Sequence, residues 1–89
     1  MDWELIERYI ENLDLHGSDI LVYDLLKKKV IKDKVVISYQ EIAKKINLSK
    51  MGAVQIINRL VKNGIIERHT RYDKFNVPFN EYLILQGLN

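Results

Sequence analysis

Ser38-Tyr39-Gln40-Glu41-Ile42-Ala43-Lys44-Lys45-Ile46-Asn47-Leu48-Ser49, with the amphipathic run from Lys50 to Asn63-Gly64 that follows it, decides how this chain folds. Ser38 with Glu41 three positions on is a capping box, in which a serine hydroxyl and a glutamate carboxylate satisfy backbone donors at a helix start. The helix it opens turns Ile42, Ala43 and Ile46 inward. Asn47 tolerates the left-handed conformation that a tight inter-helix turn demands, because its short amide bonds locally to backbone. Leu48 is expected to plug the corner, and Ser49 to cap a second helix. At about 100° per residue, Ala53, Ile56, Ile57, Leu60 and Val61 share one side of that helix, while Met51, Gln55, Asn58 and Lys62 line the other. The second row carries no acid and ends in lysine. Gly64 stands where a helix C-terminal glycine belongs.

Working outward, Val35-Val36-Ile37 is short and β-branched and predicts a brief strand just before the capping box. Upstream of it, Ser18 or Asp19 can cap a helix whose apolar residues include Ile20, Leu21, Val22, Leu25 and Leu26. That helix closes in Lys27-Lys28-Lys29, which suits the negative end of its dipole. With Lys32 and Lys34 these lysines form a second basic cluster, best read as a solvated helix end and loop. After Gly64 the period changes from helical to alternating. Residues 65–72 and 79–85 predict two strands joined by the polar link Asp73-Lys74-Phe75-Asn76-Val77-Pro78, and Pro78 limits how far their pairing reaches. Residues 2–13 place Trp3, Ile6, Ile10 and Leu13 at helical spacing between Glu4, Glu7, Arg8 and Glu11, which predicts an amphipathic helix. It breaks at Asp14-Leu15-His16-Gly17.

The chain has 89 residues, enough for one domain with one modest core. It contains no cysteine, which excludes disulfides, thiolate metal sites and cysteine nucleophiles. No apolar run approaches the ~20 residues needed to span a bilayer. Met1-Asp2-Trp3-Glu4 is acidic where a signal peptide is basic, so the expectation is a cytoplasmic protein. The formal charge of +2 conceals an asymmetry: residues 1–17 hold one base against five acids, and residues 18–89 hold thirteen bases against seven acids. From Tyr39 to Lys74 eight bases face three acids, a net +5. A basic body of this kind suits an anionic partner, although a solvated lysine-rich surface has the same composition.

The order helix, short strand, helix, turn, helix, hairpin resembles the winged-helix family of helix-turn-helix DNA-binding regulators. The motifs that carry the resemblance are Leu48-Ser49 at the turn, the helix from Lys50, the pair Arg59-Leu60, and Gly64-Ile65-Ile66 opening the wing. The apolar positions Ile42, Ala43, Ile46, Leu48, Ala53 and Ile56 also fit. The chain has Gly52 where the family often places a small hydroxyl residue, and Val54 where it often has a polar or basic one. The resemblance covers roughly residues 18–85. It implies an α+β fold: an N-terminal helix, a three-helix core with a short strand, and a C-terminal two-stranded hairpin wing. Residues 1–17 then form an appended helix and break, and 18–89 the winged helix-turn-helix domain with its tail.

On that reading the 50–63 helix enters the major groove. Gln55 and Asn58 can pair with adenine edges, Lys50 or Arg59 with guanine, and Met51 can meet a thymine methyl. Lys44, Lys45, Ser49 and Lys62, with Arg68, His69, Arg71 and Lys74 on the wing, are the expected backbone contacts. Tyr72 and Phe75 near the wing tip can stack or wedge against DNA, or simply pack the hairpin. The implied partner is double-stranded DNA, and the implied role is transcriptional regulation.

Trp3, Ile6, Tyr9, Ile10 and Leu13 need something to bury them. A homodimer interface is the expected answer, with packing back on the same domain as the alternative. Enzymatic function is not expected. His16 and His69 are far apart with no ligand-spaced cluster around either, and the four glycines form no phosphate-cradling motif. Neither a metal, a cofactor nor a small-molecule effector is expected. Two other uses of the same architecture are a plasmid or viral replication or maintenance protein, and a protein-interaction module whose basic face meets an acidic partner.

Overall fold

The computed structural model describes residues 17–85. The predicted 2–13 helix, and with it the proposed interface residues Trp3, Ile6, Tyr9, Ile10 and Leu13, lies outside the described residues. Within them the order is α1 (Gly17–Lys28), β1 (Lys34–Val36), α2 (Tyr39–Ile46), α3 (Lys50–Lys62), β2 (Ile66–Tyr72) and β3 (Pro78–Ile84). This is the expected α+β winged helix. The short strand joins the hairpin, so the sheet has three antiparallel strands in the order β1-β3-β2.

The helix-turn-helix is built by its caps. Ser38 Oγ accepts the Glu41 N–H at 3.1 Å, while the Glu41 carboxylate lies 4.0 Å from Lys29 Nζ. Asn47 ends α2 at φ 61° and ψ 47°, the left-handed conformation its sequence predicted. The Leu48 N–H then reaches back to the Ala43 carbonyl at 2.8 Å, satisfying an orphan carbonyl of the last turn. Leu48 itself stays exposed, so this backbone bond closes the corner where a buried leucine plug was expected. Ser49 Oγ accepts the Gly52 N–H at 3.0 Å and starts α3. Gly64, at φ 69°, ends it. There Ile65 N–H bonds to Leu60 O and Gly64 N–H to Val61 O, each at 3.0 Å, the paired closure that a glycine in this position permits.

Asp19 does not cap α1. It sits inside the helix with no exposed surface, and its carboxylate turns to Arg59 on α3. Between α1 and β1 the chain reverses at Lys32-Asp33, whose φ angles are 53° and 68°. Ile31 and Lys34 exchange both backbone bonds across this turn, at 2.8 and 3.1 Å.

The core lies where the apolar stripes of the three helices meet one face of the sheet. It includes Ile20, Tyr23 and Leu26 of α1, Ile42 of α2, Ala53, Ile57 and Leu60 of α3, and Val35, Ile66 and Tyr82 of the sheet. Alternation along the strands sets the sheet's contribution. Val35 and Arg68 both pair with Tyr82, and Ile66 pairs with Ile84. Arg68, Thr70 and Asn80 continue the same face outward, where it becomes polar.

Candidate nucleic-acid interface

The exposed row of α3 is the one the sequence outlined. Met51, Gln55, Asn58 and Lys62 are all exposed and, at about 100° per residue, fall within a stripe roughly 60° wide. Lys50 is exposed at the helix start and Lys44 and Lys45 at the end of α2, so the turn between the helices is ringed by cations. The first turn of α3 contains no acid. Ser49 already gives its oxygen lone pair to the α3 cap, which leaves its hydroxyl proton for an external acceptor. A Cβ on Gly52 would come within 3.2 Å of Ser49 Oγ. The glycine thus leaves the capping hydroxyl room.

Arg59 lies outside this row, and its guanidinium is engaged by Asp19. Nε lies 2.9 Å from Asp19 Oδ2 and Nη2 lies 2.8 Å from Asp19 Oδ1. This two-pronged pair fixes α3 to α1. The planar guanidinium matches the carboxylate with parallel bonds, and the buried acid requires such a partner.

Arg68 also has a structural commitment. Its Nη1 donates to Tyr39 Oη at 2.9 Å and to Asn58 Oδ1 at 2.8 Å. One guanidinium therefore ties the start of α2, the exposed face of α3 and the base of the wing. Asn58 keeps its amide N–H groups and one oxygen lone pair for a base edge. Tyr39 was absent from the sequence-derived site. It stands 29 positions from Arg68, and nothing local to either residue announces the contact. Beneath this link, Asn80 Nδ2 donates to Tyr82 Oη at 3.2 Å. Burial, reinforced by nearby Tyr39, pushes the Tyr82 phenol well above its ordinary range.

The remaining wing residues sort by face. Glu67, His69 and Arg71 alternate onto the side of the sheet away from the core. His69 Nε2 contacts Glu67 Oε1. Glu81 of the central strand holds Oε1 buried with no hydrogen bond, and Arg71 Nη2 and Lys34 Nζ lie 3.6 and 3.9 Å from it. Arg71 is still more than half exposed. Lys74, at the tip, sits with Nζ 5.1 Å from the centre of the Phe75 ring.

A cleft of about 580 Å³ separates the helices from the wing. Lys50 and the first residues of α2 form one wall, and Pro78, Phe79 and Asn80 form the other. Lys50, one residue before the exposed α3 row, and the start of β3 therefore both border this cleft. A curved polyanion could engage both sides at once, with phosphates met by the cations and base edges by the α3 row. Among the described residues no His, Cys, Asp and Glu cluster could hold a metal ion, and no helix is long and apolar enough to cross a membrane.

A family model described as winged helix-turn-helix DNA-binding matches residues 20–67, just over half of the chain. No curated protein matches. Among solved structures, a possible transcriptional regulator from Methanosarcina mazei Go1 superposes with a TM-score of 0.68 at 17% identity, covering 91% of this chain. The chain spans 66% of that protein's length. At this identity what the two share is the fold.

Proposed function

Because the chain belongs to the winged helix-turn-helix DNA-binding family, we propose that it reads specific duplex DNA sites and regulates transcription as a homodimer. The observation that carries the reading is the exposed, acid-free row Met51, Gln55, Asn58 and Lys62, which follows a capped turn and begins one residue after Lys50 at the cleft. In this reading α3 lies in the major groove. Gln55 and Asn58 supply the donor and acceptor pairs that adenine edges demand, and Lys50 and Met51 read beside them. Lys44, Lys45, Ser49, Lys62, Arg71 and Lys74 hold the phosphates, with His69 a weaker contributor because Glu67 engages it. Arg68 acts through Asn58.

Regulation extends by analogy from the M. mazei protein, and the simplest mode is occupancy of a promoter site. The dimer rests on the apolar spacing of Trp3, Ile6, Tyr9, Ile10 and Leu13. No catalytic role is proposed. Selection of preferred sites from a random duplex pool tests specificity and symmetry together. The expected product is a site with two related half-sites, spaced as a two-fold dimer requires. Recovery of unrelated sequences at every round would sink the sequence-reading claim, and a single unpaired half-site would sink the dimer.

A further inference from the structure

The two edges of the sheet differ. β1 is three residues long, and a strand so short offers little to a second chain. β2 runs for seven residues, in unbroken register with β3 and without a proline or a bulge. Among the described residues no strand pairs with its other side. Which backbone groups point that way follows from the ladder. Leu85 N–H bonds to Ile65 O at 2.9 Å, and 65 opposite 85 continues the β2–β3 register. Hydrogen-bonded and non-hydrogen-bonded pairs alternate along an antiparallel ladder, so Glu67, His69 and Arg71 turn their N–H and C=O groups to β3. Ile66, Arg68, Thr70 and Tyr72 turn theirs outward.

We propose that this edge is an interface for a second copy of the chain, β2 against β2 about a two-fold axis at His69. In that register Arg68 of each copy faces Thr70 of the other, and both residues turn their backbone groups outward. Glu67 stands opposite the partner's Arg71, and Arg71 opposite the partner's Glu67. Glu67 and Arg71 are exposed, and each facing pair is opposite in charge. Both pairs fall at non-hydrogen-bonded positions, where side chains across an antiparallel pair come closest. An axis at Arg68 or Thr70 loses both matches. The two-fold axis is perpendicular to the sheet, so the copies join into one six-stranded sheet with both cores on the same side. Arg71 is shared with the proposed phosphate contacts, so the pair is an assembly of the DNA-free chain. The contact is small and of the transient class, and it is separate from residues 2–13, on which the proposed dimer rests.

The chain contains no cysteine, so one introduced thiol reports on this edge alone. His69→Cys sets the two thiols at the axis with Cα atoms about 4.5 Å apart, within reach of a disulfide. Thr70→Cys is the control, because its two copies lie about 8 Å apart in this register, beyond bridging. Each full-length variant is oxidised without DNA in a glutathione redox buffer and followed on non-reducing gels. His69→Cys should form covalent dimer about tenfold faster than Thr70→Cys, the gain of a pre-formed contact over collision. Adding Glu67→Arg to His69→Cys sets like charges opposite one another and should slow the reaction several-fold. Adding Arg71→Glu as well exchanges the two charges, returns the net charge to its starting value and should restore the rate. Equal rates for His69→Cys and Thr70→Cys mark random collision and overturn the edge pair. So does a charge exchange that melts like the parent yet fails to restore the rate; if that variant does not fold, the comparison of positions 69 and 70 decides. Dimers made through residues 2–13 do not distinguish those two positions, and failure of the duplex-binding reading leaves every one of these rates unchanged.

Discussion

At the residue scale, Arg59 and Arg68, both expected at DNA, each bond to another part of the fold. Asp19 is fully buried and Arg59 is its two-pronged partner. Removing the guanidinium strands a carboxylate in the interior, so Arg59→Ala should cost about 3–5 kcal/mol in urea denaturation. Arg59→Lys keeps the charge, loses the fork and should recover only part of that loss. Neither change should alter base preference in the folded fraction; a shifted preference would return Arg59 to the reading face. Arg68 makes a different prediction. Because it holds Asn58 Oδ1, Asn58→Ala and Arg68→Ala should relax discrimination at the same base pair, each by about 1–3 kcal/mol. Combined, they should cost clearly less than the sum. Additive losses at two separate base pairs would show that Arg68 contacts DNA independently. The Asp19–Arg59 pair had a signal in the sequence: an acid on the buried stripe of α1, in line with Tyr23 and Leu26. The Tyr39–Arg68–Asn58 link had none, because it depends on where β2 sets down beside the two helices.

At the scale of elements, the parts that sequence made legible are those fixed locally. Ser38, Asn47, Ser49 and Gly64 each determine a helix boundary through bonds within a few residues of themselves. The exposed row of α3 follows from period alone. What local chemistry could not reveal was the pairing of β1 with β3, since a three-residue strand carries no label for its neighbour. It also did not reveal the turn at Lys32-Asp33, where two residues with full side chains occupy the left-handed region. Such a two-residue reversal is best served by Asn-Gly, and left-handed backbone costs an ordinary residue about 1–2 kcal/mol. The pair Lys32→Asn and Asp33→Gly should therefore stabilise the protein by about 1 kcal/mol, after the added glycine entropy is deducted. A rise of a few degrees in melting temperature would register it. A fall would mean that Lys32 or Asp33 makes a contact worth more than the strain.

At the scale of the whole molecule, charge placement matters more than net charge. The formal +2 is small, yet Lys44, Lys45, Lys50, Lys62, Arg71 and Lys74 are all exposed around the turn, along α3 and on the wing. If four to six of them meet phosphates, log Kobs for duplex should fall by about 4–5 for each tenfold rise in salt. A slope near zero in duplex titrations across salt would leave no role for this arrangement. The strand order β1-β3-β2 has a separate consequence, for biosynthesis. The middle strand is the last of the three to be made, and β1 pairs with it through Lys34↔Leu83, Val35↔Tyr82 and Val36↔Glu81. During translation, β1 and β2 both wait with open edges until β3 leaves the ribosome. Closing that long-range pairing delays folding until β3 has been made, when Tyr82 arrives and locks helices and wing into one cooperative unit.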